Sequence, residues 1–445
     1  MHKATSTLTA GVIAASALMT GVFSAQAEDK YLESVEQRLE RLEREINVMR
    51  GDAKGKDILS EDIPVYVKPK SKFITDVKLR GRIQWQFGYV VPTSDGGFAN
   101  VGGTPVRSND NYSTFEIRRA RIGIEAKLMN DFKAMVEINA VPGNTVLNEA
   151  YIQYQGTDVF QPVVGLVKPR FGYEENTSSA KILTVERSNL TNTLATDQKI
   201  GLAIEGEANI IFYSAGIYNN VDRGVNNGVQ PDENDTNAFF RDVEYIYNAS
   251  AGLDFTDIVG FKLQLRADYA YAQSSPELQG PAAVGALYRN NGNVGFAYQN
   301  NVAASIVTGF GPFELSTEFI GGFQPNAGGG VSNNANVYGF YVMPSYYVIP
   351  ERLQVVAQYT WMEGKGGAGF RSPSRYASDA FFPNNTGDEY QAIYGGLNYY
   401  INGNDLKVML GVEYSMLGGI PNPFLAGNFQ NANAVTFFSA VRMQF

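Results

Sequence analysis

Leu406, Val408, Leu410, Val412, Tyr414 and Met416 fall on every second position, and Lys407, Met409, Gly411, Glu413 and Ser415 fill the places between them. Side chains of a strand point alternately to its two faces, so this stretch has one apolar face and one that carries charge. The segment 262–271 repeats the pattern, with Leu263, Leu265, Ala267, Tyr269 and Tyr271 against Lys262, Gln264, Arg266, Asp268 and Ala270. Strands of soluble sandwiches usually run about 5–6 residues. Strands of about ten residues, greasy on one face and polar on the other, are those of a transmembrane barrel.

Counting such alternations from Val77 onward gives about sixteen strands, an even number as single-chain outer-membrane barrels require. The connections point the same way. Met129-Asn130, Thr256-Asp257-Ile258, Gly309-Phe310-Gly311, Ile349-Pro350 and Asn402-Gly403 are tight turns. Long segments at 92–111, 170–197, 221–241, 274–293, 364–387 and 418–431 fall between them, with modest links at 143–145 and 325–334. Short periplasmic turns alternating with longer outward loops are expected of such a barrel and not of a sandwich. The last strand ends on Phe445, with Val435, Phe437, Val441 and Met443 on its apolar face.

Composition narrows the function. The chain has 26 Tyr and 27 Phe but 2 Trp, and 46 Gly, a mix that suits many strands and turns. It has no Cys, and its single His is His2. Thiolate chemistry, disulfides and His-based acid/base or metal chemistry are therefore not expected of the processed chain, nor is a cofactor or an enzymatic activity. Removing Lys3 with the leader leaves 35 basic against 45 acidic side chains, a balance that argues against nucleic acid as a partner.

The first 76 residues are different. Residues 1–27 read as a secretory signal: Lys3, a largely apolar stretch from Leu8 to Phe23, and the Ala25-Gln26-Ala27 cleavage pattern. Within 28–53, Leu32, Leu39 and Ile46 occupy heptad a positions and Val35, Leu42 and Met49 occupy d. Three heptads are marginal alone in water, so this helix is expected either to join a coiled coil, in line with a trimer, or to lie amphipathically on another surface. Residues 54–76, with Pro64 and Pro69, read as a linker to a barrel over 77–445.

Two stretches carry a family likeness. Phe115-Glu116-Ile117-Arg118-Arg119-Ala120-Arg121-Ile122-Gly123 resembles the R-R-A-R strand of the phosphate-selective porin O and P family. Leu147-Asn148-Glu149-Ala150-Tyr151-Ile152, followed by Gly165, Lys168-Pro169, Glu174-Glu175, Ser178-Ser179, Glu186-Arg187-Ser188 and Gly201, resembles that family's next strands and pore loop. The resemblance covers roughly 75–445. It implies an all-β, sixteen-stranded trimeric porin in the outer membrane of a Gram-negative-type bacterium, whose third long loop folds into the lumen. By strand count that loop is 170–197.

Candidate lining residues follow. With Ile122, Ile124 and Ala126 toward lipid, Arg119 and Arg121 face the lumen, where a guanidinium suits an anion rung. Alternatively the two pair with Glu137 and Glu149 and hold the wall. Parity places Arg118 at the lipid interface. In and beside the loop, Lys168, Arg170, Arg187 and Lys199 are expected to line a constriction opposite Glu174, Glu175 and Glu186, giving a transverse field. Glu186, with Asp197, could instead pin the loop. The expectation is a passive channel for small inorganic or organic ions, embedded in outer-membrane lipid, with an anion or phosphate preference. The alternative is an envelope tether that reaches the cell wall through residues 32–49.

Overall fold

The computed structural model describes residues 73–93, 111–142, 144–219, 245–273, 298–325, 335–366, 386–421 and 429–445, with short pieces at 66–67, 98–101, 104–107, 296, 370–371 and 376. The chain divides into two compact units, Met1–Ile63 and Pro64–Phe445. The leader and the heptads belong to the first, which lies outside the described residues.

In the second unit the period-two segments form sixteen antiparallel strands. The first five are β1 (Ile74–Pro92), β2 (Tyr112–Leu128), β3 (Phe132–Val141), β4 (Asn144–Tyr154) and β5 (Gln161–Val167). Next come β6 (Lys199–Ala208), β7 (Ile211–Asn219), β8 (Tyr245–Asp254), β9 (Lys262–Ala272), β10 (Tyr298–Phe310) and β11 (Phe313–Pro325). The last are β12 (Asn336–Ile349), β13 (Leu353–Lys365), β14 (Glu389–Asn402), β15 (Leu406–Pro421) and β16 (Phe429–Gln444). Each pairs with the next, and β1 pairs with both β2 and β16, which closes the barrel. Closure leaves no unpaired edge, the condition for a sheet to stand in lipid. Tyr66 and Val67, inside the stretch expected to be linker, pair with Lys78 and Val77 and so join the sheet.

The short turns use the backbone conformations their sequences allow. Phe310 pairs with Phe313 across the two-residue turn Gly311-Pro312, and Gly311 takes φ +57°, the positive φ a glycine-first hairpin turn needs. Met129 and Asn130 both have positive φ between β2 and β3.

The side chains are sorted inside out relative to a soluble protein. Ile122, Ile124, Leu202, Ile393, Leu410 and Phe437 are exposed on the outer wall, where hydrocarbon replaces water. Gln84, Asn398, Lys407, Thr436 and Arg442 are buried on the inner wall. Near the short turns Phe160, Phe261, Phe310, Phe313 and Tyr346 stand exposed as an aromatic girdle. Among the described residues no helix is long and apolar enough to cross a membrane; the strands do so.

One local irregularity changes what the inner wall presents. The β1–β2 register slips between Gln84/Trp85, with Gln84 opposite Arg119 and Trp85 opposite Ile117. Arg118 is thus an extra residue in β2. A bulge of this kind re-aims a side chain, and Arg118 reaches inward to Glu186 instead of sitting at the lipid interface as simple parity suggests.

Candidate functional site

Between β5 and β6 the chain leaves the wall for 31 residues, 168–198, and every one of them is described. Two short helices organise it: α1 (Tyr173–Asn176) and α2 (Asn189–Leu194). Ser188 caps α2 by accepting the Thr191 N–H. Phe171, Ile182, Val185, Leu190 and Leu194 are buried. The partners of this loop are the inner-wall residues of strands all round the barrel, so it packs within the lumen.

The first part is held by carboxylates. Gly172 takes φ +78°, open to glycine at little cost, and turns three successive N–H groups the same way. The Gly172 N–H donates to Asp268 Oδ2 at 2.8 Å, that of Tyr173 to Glu318 Oε1, and that of Glu174 to Glu318 Oε2 at 3.1 Å. The Glu174 carboxylate accepts from the Ser188 hydroxyl at 2.6 Å and the Thr191 hydroxyl at 2.6 Å, tying α1 to α2. Glu175 pairs with Lys168 at 2.7 Å and lies 3.6 Å from Arg187. Arg187 also donates to the carbonyls of Glu174, Glu175 and Thr177.

The middle part, 178–186, has little regular structure, and several of its carbonyls are satisfied by the wall. Arg442 donates to the carbonyls of Ile182, Thr184 and Val185. Lys407 donates to Ile182 O at 3.1 Å and Asn398 to Leu183 O at 2.8 Å. Arg82 donates to the hydroxyls of Ser178 and Ser179. Gln86 and Arg118 both donate to Glu186 Oε1, at 2.8 and 2.9 Å. Buried backbone oxygens without a partner would be costly, and charged donors supply the strongest replacement.

The structure separates the residues picked out from sequence into three places. Arg121, Lys168 and Arg170 keep surface facing the lumen, while each holds an acid: Glu137, Glu175 and Glu205 respectively. Arg119 is buried and donates to Gln84. Glu174, Glu175 and Lys199 are also buried, and Arg187 nearly so. These four are packed away from solvent instead of lining a constriction, and the two acids serve as the loop's internal clamps. Burial draws the Lys168 amine down to about 8, against the opposing pull of Glu175. Burial raises the Glu174 carboxyl, and the Ser188 and Thr191 bonds work the other way.

Sequence reasoning missed Arg82, Asp268, Glu318, Lys407 and Arg442. Four of the five had one usable signal: Arg82, Asp268, Lys407 and Arg442 are charges at inward positions of strands whose other face is apolar. Glu318, in Leu315-Ser316-Thr317-Glu318-Phe319, had nothing to connect it with a loop about 145 residues earlier.

A family model described as phosphate-selective porin O and P matches residues 77–414. The chain belongs to that family. Solved barrels of the same architecture include OmpT of Vibrio cholerae, at 10% identity and a TM-score of 0.51, covering 85% of this chain and 99% of that one. The DcaP outer-membrane channel of Acinetobacter baumannii gives 11% identity and 0.51, with 85% and 99% covered. A structure described as the trimer form of OmpT gives 12% and 0.51, with 83% and 99% covered. At these identities the likeness is one of fold. A comparison with curated protein sequences found no match. Family and fold together make this porin an outer-membrane barrel channel.

Proposed function

We propose that this porin conducts small hydrophilic solutes passively with a preference for anions, and that it works as a homotrimer. The supporting observation is the sorting of charge in and around the loop. Glu174 and Glu175 are 2% and 1% exposed, whereas the side chains of Arg170, Arg118 and Lys168 are 44%, 26% and 20% exposed, and Lys181 is exposed as well. A loop with nearly balanced composition thereby turns a positive surface to the water that solutes cross.

Arg82 and Arg121 strengthen the reading. They are register partners on β1 and β2, and each has a buried Nε without a hydrogen-bond partner. Two adjacent guanidiniums repel unless an anion or carboxylate lies between them. In a bilayer under a KCl gradient, wild-type channels are expected to give a zero-current potential of the sign set by Cl⁻. The double variant Arg82→Gln/Arg121→Gln should lose most of it. A potential of the K⁺ sign for the wild type would refute anion preference.

The trimer rests on the sixteen-strand architecture shared with OmpT in its trimer form and on the heptads at 32–49. Conductance lost in threes on blocking supports it. The cell-wall tether remains the second role for the heptads: deleting residues 28–60 should then weaken the envelope and leave single-channel conductance unchanged.

A further inference from the structure

We propose that the turn Gly172–Glu174 and Glu318 form a proton-sensitive latch that fixes the loop in its conducting position and releases it in acid. Three consecutive backbone N–H groups point at two wall carboxylates, a concavity suited to anions. Both oxygens of Glu318 are used, one by Tyr173 and the other by Glu174. The site therefore favours a carboxylate over a carboxylic acid, since charge strengthens both bonds. A proton on either oxygen removes the charge that assists both bonds and leaves that oxygen the weaker acceptor.

The surroundings single out Glu318. Asp268 accepts from Gly172, but it also accepts from Arg266 Nε at 2.7 Å and from the Ser250 hydroxyl. Glu318 is 1% exposed and has no ion-pair partner among the described residues. The groups that act on this corner are Tyr173, Glu174 and Arg187 from the loop, Asp268 and Arg266 from β9, Glu314 from β11 and Tyr341 from β12. Gly172 is part of the device: a Cβ there would lie 3.3 Å from Glu318 Oε1, on a backbone of positive φ.

The latch is independent of which ion the porin prefers, and its test does not read selectivity. Wild-type channels are held at fixed voltage while the pH is lowered from about 9 to about 4.5, a range that spans the proton uptake of buried carboxylates. Closed-state occupancy is expected to rise about tenfold, the change that losing one buried hydrogen bond produces. Glu318→Gln imitates the protonated acid, since its amide NH₂ meets an N–H. It should show the acid behaviour already at the alkaline end of the range and respond little to further acid. Glu363→Gln, which alters a partly exposed acid paired with Lys365 and away from this corner, should keep the wild-type response. Gly172→Ala disturbs the N–H cluster without removing a titratable group, and serves if Glu318→Gln does not assemble; it should also lose the pH response. A wild type indifferent to pH, or either latch variant retaining the full response, would overturn the proposal.

Discussion

Exchanging Arg442 for methionine is expected to unseat the middle of the lumen loop while leaving the barrel closed. Arg442 is 1% exposed and is the donor to three loop carbonyls. Hydrogen bonds to a charged donor contribute about 1.5–3 kcal/mol each, and orphaned buried acceptors cost a comparable amount. The three act on one segment and are not additive, so the loss is of the order of 4 kcal/mol. The β16 pairings to β1 and β15 involve backbone and do not depend on this side chain. The expected result is a heat-modifiable barrel of normal mobility in gels, with noisy currents of larger mean conductance and new protease cleavage within 178–186. A variant with wild-type current would mean that the wall cations are not what holds the loop.

A second large effect is expected at Gly165, in β5 just before the loop departs. Its φ is +131°, a region essentially reserved for glycine. A Cβ there would lie 2.2 Å from the Ala150 carbonyl oxygen and 2.7 Å from Tyr151 Cα, both rigid backbone of β4. Gly165 pairs with Tyr151 on one side and Gly201 on the other, so relief on one side tightens the other. Gly165→Ala should cost several kcal/mol through backbone strain and clash together. The measurable outcome is a fall in the yield of folded barrel after refolding into detergent, with wild-type yield as the contrary result.

The wall was legible in the sequence and the loop was not, for a physical reason. A strand repeats every two residues, so Leu406–Met416 announces both its conformation and which side chains point inward. The lipid-facing and lumen-facing sets of β15 and β16 follow directly from that parity. Parity fails where the ladder does: the bulge at Arg118 adds a residue with no mark in the spelling Arg118-Arg119-Ala120-Arg121. Loop 168–198 has no period, and its contacts are made to residues as distant as Lys407 and Arg442. Composition therefore showed how many charges the loop holds, but not that Glu174 and Glu175 turn inward as clamps while Arg170 and Lys181 stay wet. The likeness to the porin O and P family supplied the loop's place in the lumen, and side-chain chemistry supplied the rest.

The position of that loop in the conducting path is the central claim, and the absence of cysteine from the chain makes it directly measurable. Lys181 is exposed on the loop, so Lys181→Cys gives one thiol with no background. Adding a bulky thiol-specific reagent to open Lys181→Cys channels should cut single-channel current in discrete steps, with the wild type unaffected. Full labelling with unchanged current would place residue 181 outside the path of ions and contradict the account.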